Sequence, residues 1–378
     1  MSTANTLVAS RLAQAGIQLN GKNPWDVRVS NDAFYADLAR RGSLAAGEDY
    51  VRGWWDSTNL EETLYRVLRS QPPRQSTWNL RAAWNRLNNT LWNRQQGVGA
   101  SAVAREHYDQ HPELFAQILG RRRIYSCAYW RDGDTLDAAQ ERKLQLISSK
   151  LALQPGDRVL DIGCGWGGVA EYIHEKHGCP VLGVTNSIAQ AEYARARRRS
   201  ADVHFECIDY RELQPPRFGP FDKIVSIGMF EHVGPRNYRE YFRLARRLLH
   251  DDGLFLLQTI GRGVHDSTTE EWTSKYIFRN SFLPSVRHIA DACDGQFIVE
   301  DWHNLRDHYV LTLRAWRDNL SRFAESTAAR DLSPAAIRMW HYYLSSFIAA
   351  FRCGDINQCW QIVLSPRGRS RLGPRDVP

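Results

Sequence analysis

The sequence contains no uninterrupted apolar run approaching the about 18 residues of a membrane-spanning helix. Residues 1–20 show no basic stretch leading into an apolar core, which argues against a signal peptide, and a cytoplasmic protein is expected. Cysteine is scarce: 7 residues among 378, scattered, odd in number and without a CxxC pair. That excludes a disulfide framework and argues against a structural zinc site, so no metal is expected. Neither a repeat nor a long low-complexity tract interrupts an ordinary globular composition, 43% hydrophobic and 24% charged. The chain is too long for one small domain. Acidic residues are outnumbered by basic ones, 42 against 49, which leaves a net charge of +7. Much of the excess is arginine, at 121–123, at 197–199 and at Arg367, Arg369, Arg371 and Arg375. Such a surface suits polyanions, and composition alone leaves nucleic acid and anionic lipid headgroups both open.

Large apolar side chains thin out at 95–102 (QQGVGASA), which reads as a linker. Before it, helical spacing recurs at 31–41 (Phe34, Leu38), 60–68 (Leu64, Val67, Leu68) and 80–92, with Trp54 and Trp55 between them. Residues 1–94 therefore read as a small helical domain whose aromatics are core. Residues 103–378 change rhythm. Short apolar runs at 158–161, 181–184, 203–208, 223–227 and 254–260 alternate with helix-length segments. Continuous apolar strands of this kind are buried on both faces, so the pattern predicts an α/β fold with a parallel sheet under helices. Runs at 296–300 and 359–364 complete a seven-stranded, mostly parallel sheet, with an antiparallel final strand compatible. The aromatic-rich stretch 261–290 (Trp272, Tyr276, Phe278, Phe282) is expected to pass over the carboxyl ends of the strands, where open α/β folds bind ligands.

Directly after the first of these strands stands Asp161-Ile162-Gly163-Cys164-Gly165-Trp166-Gly167-Gly168, followed by a helical segment from Val169. A glycine-rich turn between strand and helix lets the backbone approach a nucleotide closely and aims helix amides at it. The spacing departs from GxGxxG, and the second strand ends in Val184-Thr185-Asn186 without an acid for a ribose. A dinucleotide is thereby disfavoured. The loop suits instead the S-adenosylmethionine site of a Rossmann-like class I methyltransferase, with Asp161 inside the motif and Asp209-Tyr210 after the third strand. Glycines serving only a tight turn are the plainer alternative.

Three further clusters are dense in polar and aromatic groups: YSCAYW at 125–130, GMFEHVG at 228–234, and DWHN at 301–304 followed by Tyr309. With these, the chain resembles the cyclopropane fatty acid synthase family. The resemblance spans nearly the whole length, through YSCAYW, VLDIGCGWGG, LGVTNS, SIGMFEHVGP, KYIF, LPSVR, EDWHN, HYYL and AFR. GSLAAGEDYVRGWWD resembles the amino-terminal domain of the bacterial enzymes. The glycine loop alone would indicate only a methyltransferase. The resemblance implies methyl transfer from S-adenosylmethionine to a cis double bond of a phospholipid acyl chain, then ring closure. It also implies cofactor contacts at Gly163, Cys164, Gly165, Trp166, Gly167, Thr185, Asn186, Gln190, Asp209 and Tyr210, with Tyr125 and Ser126 as a lid. An alkene is a weak nucleophile, so it must be held about 3–3.5 Å from the sulfonium methyl in a dry channel. The resulting carbocation is stabilised by aromatic faces at about 0.5–2 kcal/mol each. Ring closure then needs a base.

In the family that base is a bound bicarbonate ion. The resemblance implies Cys127 and Ile260 as its backbone donors and Glu231 and Tyr309 as its side-chain partners. A carboxylate beside an anion repels it unless a proton is shared, which makes Glu231 and the ion a coupled pair. The family's histidine in LLHTI is replaced here by Gln258, in Leu256-Leu257-Gln258-Thr259-Ile260. An amide donates a hydrogen bond but carries neither proton nor charge at neutral pH, so weaker bicarbonate binding is expected. At 107–115 the chain also departs from the family pattern, with His111 and Pro112; His111 reads as an exposed loop histidine. Plainer readings stand beside these: Cys127 as a small buried hydrophobe, Glu231 as the acidic start of a helix. Other functions remain open as well. Gln258 motivates an alkene methyltransferase that loses a different proton and makes methyl-branched or methylene lipid. A non-catalytic lipid-binding homologue is disfavoured by the complete glycine loop. Nucleic-acid methylation is disfavoured because an NPPY-type pocket is missing. The expected partners are unsaturated phospholipid in an anionic membrane surface, approached peripherally from the cytoplasm, and a second copy of the chain in a homodimer.

Overall fold

A computed structural model describes residues 3–71, 112–265, 270–278, 281–330 and 332–366. The linker expected at 95–102, the helix expected at 80–92, His111 and the arginines beyond residue 366 lie outside them.

The amino-terminal part is helical. It comprises α1 (Thr3–Gln14), α2 (Ala33–Arg41), α3 (Ser43–Val51) and α4 (Leu60–Ser70). A short antiparallel pair, β1 (Arg28–Val29) with β2 (Trp55–Asp56), ties the segments together. Asn59 starts α4 by accepting the Glu62 amide at 3.2 Å. The runs at 31–41 and 60–68 are thus α2 and α4. Helices α1 and α3 were not read from the sequence; α1 buries only Val8 and Leu12.

These helices do not close a core of their own. Val8, Phe34, Trp55 and Leu60 share one apolar cluster with Phe115 of α5 (Pro112–Ile118), Leu313 and Trp316 of α12 (Arg306–Ala324), and Tyr343 and Phe351 of α13 (Pro334–Cys353). A buried carboxylate pins the contact: Glu61 pairs with Arg314 at 2.6 Å, Arg317 at 2.8 Å and Arg352 at 3.0 Å. Aromatic content therefore reflects packing, and that packing joins the amino-terminal helices to the helices before the last strand.

Helix α6 (Leu136–Leu151) leads into the seven-stranded sheet, ordered β5 (Val203–Cys207), β4 (Val181–Thr185), β3 (Val159–Ile162), β6 (Phe221–Ile227), β7 (Leu249–Arg262), β9 (Asn357–Pro366), β8 (Phe297–Asn304). Pairing is parallel from β5 to β7, and β9 runs antiparallel to both neighbours. The interspersed helices are α7 (Gly168–His177), α8 (Ile188–Arg197), α9 (Tyr238–Leu248), α10 (Glu271–Tyr276) and α11 (Val286–Cys293). Alternation along the strands supplies two cores. Val159, Val225, Leu256 and Val363 pack with α6 and α7, while Leu160, Ile224, Phe255, Leu257 and Ile362 pack with α9 and α11. Chain order reverses between β3 and β6, and a ligand crevice opens at the carboxyl ends there. The stretch 261–290 contributes the end of β7, then α10 and the start of α11.

Candidate active site

The glycine loop connects β3 to α7 with three left-handed glycines, Gly163 at φ +85°, Gly165 at +54° and Gly167 at +87°. Neighbours forbid side chains at two of them: a Cβ on Gly163 would lie 2.7 Å from Met229 Cβ, and one on Gly167 2.8 Å from Phe205 Cζ. At Gly165 a Cβ would meet nothing within 4 Å. Backbone there borders open space, as a cradle for a nucleoside requires. Cys164 and Trp166 between the glycines are buried. At the end of β4, Thr185 Oγ1 donates to Gln190 Oε1 at 2.8 Å and accepts the Ser187 amide at 3.2 Å, with Asn186 exposed beside them. After β5, Asp209 accepts Arg211 N at 3.0 Å and Arg211 Nε at 2.8 Å. Burial alone would raise the Asp209 carboxyl, but the bonds from Arg211 outweigh it and hold the group below the usual carboxylate range. Tyr210 follows, its hydroxyl pushed up to about 12 by burial.

Asp161 is buried at the back of this loop, and its Oδ2 has no hydrogen-bond partner. Burial lifts its carboxyl to about 7 against the attraction of Lys143. Lys143, fully buried and pushed down to about 7 by desolvation, donates from Nζ to Ser126 Oγ at 3.0 Å. One turn earlier on α6, Gln140 Nε2 donates to Ser126 O at 3.0 Å and Ile124 O at 3.4 Å. The helix thus grips the strip that carries Tyr125, Ser126 and Cys127. Tyr125 is fixed further by a 2.8 Å bond between its hydroxyl and that of Tyr343.

On the other side of that strip, Cys127, Glu231, Gln258, Ile260 and Tyr309 line one cavity of about 750 Å³, together with Tyr125, Ser126, Gly228 and Cys359. Glu231 Oε1 accepts the Ile260 amide at 2.6 Å, while Oε2 is buried without a partner. Desolvation raises the Glu231 carboxyl to about 7, opposed by the Ile260 amide. Gln258 Oε1 accepts from Gln361 Nε2 at 2.9 Å. Cys127 Sγ lies 3.2 Å from Ala128 O and 3.6 Å from Leu305 O, a buried thiol engaged with backbone. Tyr309 packs its ring against Phe351 at 4.8 Å, and burial drives its hydroxyl well above the usual range. His232, beside Glu231, is held neutral by burial, which pushes it down to about 4. An unmatched buried carboxylate oxygen on a cavity that Gln258 and Tyr309 also line fits a small oxyanion that shares a proton.

The same cavity is bordered by Val8, Leu12, Leu38, Ala46, Leu64 and Leu68 of the amino-terminal helices and by Thr273, Phe278, Leu283 and Phe347. Its walls are mainly apolar and its exposed rim includes Leu7 and Val264. The stretch 261–290 therefore forms part of the wall. Asp161, Gly163, Cys164, Gly165, Trp166, Gly167, Thr185, Asn186, Gln190, Asp209 and Tyr210 stand outside this lining; Tyr125, Ser126 and Gly228 are where the two regions meet. Sequence reasoning missed Lys143, Arg211, Gln140 and Gln361. No sequence motif marks Gln361, which is one of three amides in β9 with Asn357 and Gln358. Among the described residues no group of histidine, cysteine and acidic side chains could hold a metal.

Residues 96–362 match the family model of mycolic acid cyclopropane synthetases. The chain is 43% identical over 355 residues to the cyclopropane-fatty-acyl-phospholipid synthase of Escherichia coli strain K12, covering 94% of this chain and 91% of that one. The tuberculostearic acid methyltransferase UfaA1 of Mycobacterium tuberculosis is 32% identical over 362 residues, covering 88% of this chain and 81% of its own. Among solved structures, mycolic acid cyclopropane synthase CmaA1 complexed with SAH and CTAB superposes with a TM-score of 0.64 at 31% identity, over 70% of this chain and 97% of that one. With the glycine cradle, the switch-point crevice and these likenesses together, the chain belongs to the mycolic acid cyclopropane synthetase family, whose members are S-adenosylmethionine-dependent methyltransferases of class I fold.

Proposed function

We propose that this protein converts a cis double bond of a phospholipid acyl chain into a cyclopropane ring. One observation carries this reading: residues from four separate segments, Cys127, Glu231, Gln258 with Ile260, and Tyr309, meet on one largely apolar cavity. S-adenosylmethionine, when bound, supplies the methyl carbon; bicarbonate, when bound, supplies a proton acceptor. The backbone at Gly163, Gly165 and Gly167 cradles the cofactor, and Tyr125 and Ser126 close over it. Cys127 through its amide, Gln258 through its NH₂ and Tyr309 through its hydroxyl hold the anion. Glu231, with a carboxyl raised to about 7, holds a proton at Oε2 and donates it to that anion instead of repelling it. The Ile260 amide, expected as a donor to the anion, is engaged instead by Glu231 Oε1 and steadies that side chain. Tyr309, Phe278 and Phe347 exclude water and face the developing cation, each worth about 0.5–2 kcal/mol.

The substrate reading extends to phospholipid in an anionic membrane surface. Its support is the net charge of +7 and an apolar cavity reaching exposed Leu7 and Val264. No described helix is long and apolar enough to cross a membrane. Peripheral association from the cytoplasmic side and a homodimer belong to the same proposal. A second reading follows from Gln258, which cannot accept a proton as a histidine would: methylation with loss of a different proton, giving a branched olefin. The experiment incubates the protein with S-adenosylmethionine and anionic vesicles bearing cis-monounsaturated chains, with and without bicarbonate, and records the lipid by proton NMR. High-field cyclopropane resonances that grow with bicarbonate are expected. Olefinic methyl products would favour the second reading.

A further inference from the structure

Gln258 and Gln361 stand directly opposite each other in the antiparallel β7–β9 register, so their side chains share one face of the sheet. On that face Leu256 and Val363 precede them in the core, and Ile260 and Cys359 follow at the cavity. Gln361 is fully buried, and its Nε2 donates to Gln258 Oε1 at 2.9 Å. A primary amide has one carbonyl and one NH₂ of nearly the same shape. With its carbonyl engaged by Gln361, Gln258 has its NH₂ left for the cavity it lines. We infer that Gln361 is a positioning residue that sets the polarity of Gln258, so that this edge of the pocket offers N–H donors and accepts an anion. The inference rests on the anion reading given above. Gln258 alone does not decide the matter: rotation of its terminal torsion by half a turn would aim a carbonyl at the anion, and that torsion is broad and roughly two-fold. Gln361 Oε1 remains buried without a partner. An apolar side chain of similar size would have avoided that cost, which marks the pair as more than packing.

The test measures binding of ¹³C-labelled bicarbonate by NMR line broadening to the full-length protein saturated with S-adenosylhomocysteine. Gln361→Met is expected to weaken bicarbonate binding about five- to tenfold, the loss of one oriented hydrogen bond. Calorimetric affinity for S-adenosylhomocysteine should stay unchanged, which also verifies folding; Gln361→Leu replaces any Gln361→Met protein that does not fold. In a Gln258→Leu background the Gln361 substitution is expected to add nothing, because Gln361 acts through Gln258. An unchanged bicarbonate affinity in Gln361→Met, or an equal further loss in the Gln258→Leu background, would overturn the inference alone. Failure of bicarbonate to bind the unsubstituted protein would overturn the anion reading and the inference together.

Discussion

The Ile260 amide donates to Glu231 Oε1 at 2.6 Å, leaving Glu231 Oε2 buried without a partner on the cavity wall. Burial raises the carboxyl from 4.5 to about 7, so the folded protein retains a proton that the unfolded chain has released between those values. Stability contributed by that proton is present at low pH and lost as pH rises through that interval. Glu231→Gln keeps the shape and the acceptor for Ile260 but does not titrate. Its melting temperature relative to the unsubstituted protein should therefore be higher at pH 8 than at pH 5, while turnover falls about 10²-fold or more. Thermal melts at both pH values and initial rates check this; an invariant difference would contradict the buried carboxyl.

Gly165 borders open space, whereas Gly163 and Gly167 border side chains. Gly165→Ala should therefore cost only the backbone strain of φ +54°, about 1–2 kcal/mol, yet block the cofactor. Calorimetry with S-adenosylhomocysteine should show a loss of at least tenfold in affinity, in a protein that still melts cooperatively.

Lys143 is a buried ammonium pushed down from 10.5 to about 7. The unfolded chain binds that proton more tightly, so the stability of the folded protein falls as pH drops from 10.5 towards 7. Lys143→Met removes the titration and should gain stability relative to the parent at pH 7 compared with pH 10. Ser126 loses its donor at the same time, and affinity for S-adenosylhomocysteine should weaken by about 0.5–1.5 kcal/mol. Denaturant titrations at the two pH values and calorimetry separate these effects.

Glu48 of α3 accepts Lys275 Nζ at 2.8 Å and the Tyr276 hydroxyl at 2.7 Å, and a Cβ on neighbouring Gly47 would lie 2.4 Å from Trp272. The amino-terminal helices thus clasp α10, whose Thr273 lines the cavity. Gly47→Ala should destabilise by about 1–3 kcal/mol through overpacking. Glu48→Gln should lower turnover on vesicles several-fold with cofactor affinity unchanged. Urea titration and vesicle assays with calorimetric controls test both.

The sheet was legible because its central strands are continuous apolar runs separated by helix-length segments, a pattern that buried parallel strands impose. Boundaries were less so: β7 extends over Leu249–Arg262, beyond the apolar run at 254–260, because Leu249 already pairs with Phe221 of β6 at its start and Gly261 and Arg262 still pair with Gln358 and Asn357 of β9 at its end. Helix α3 escaped notice because SLAAGEDYV has no clean apolar stripe; it buries Glu48 and Asp49 as well as Ala45 and Tyr50. The site's principal residues were visible through motif resemblance. Their supports were not. Lys143 looks like any lysine on a helix, and Gln361 acquires meaning only from the register that places it opposite Gln258. The Glu231–Ile260 bond joins residues 29 apart in sequence, a contact that no local pattern announces.

Ring closure removes a proton from the transferred methyl group. S-adenosylmethionine carrying a trideuterated methyl, supplied with anionic vesicles of cis-monounsaturated phospholipid, tests it by mass spectrometry of the lipid product. Cyclopropanation retains two of the three deuterium atoms and leaves no double bond, and a product with two deuterium atoms and no olefinic signal in its proton NMR spectrum is expected, with its yield dependent on bicarbonate. A lipid that retains all three would overturn ring closure and assign to Gln258 a methyl transfer without it.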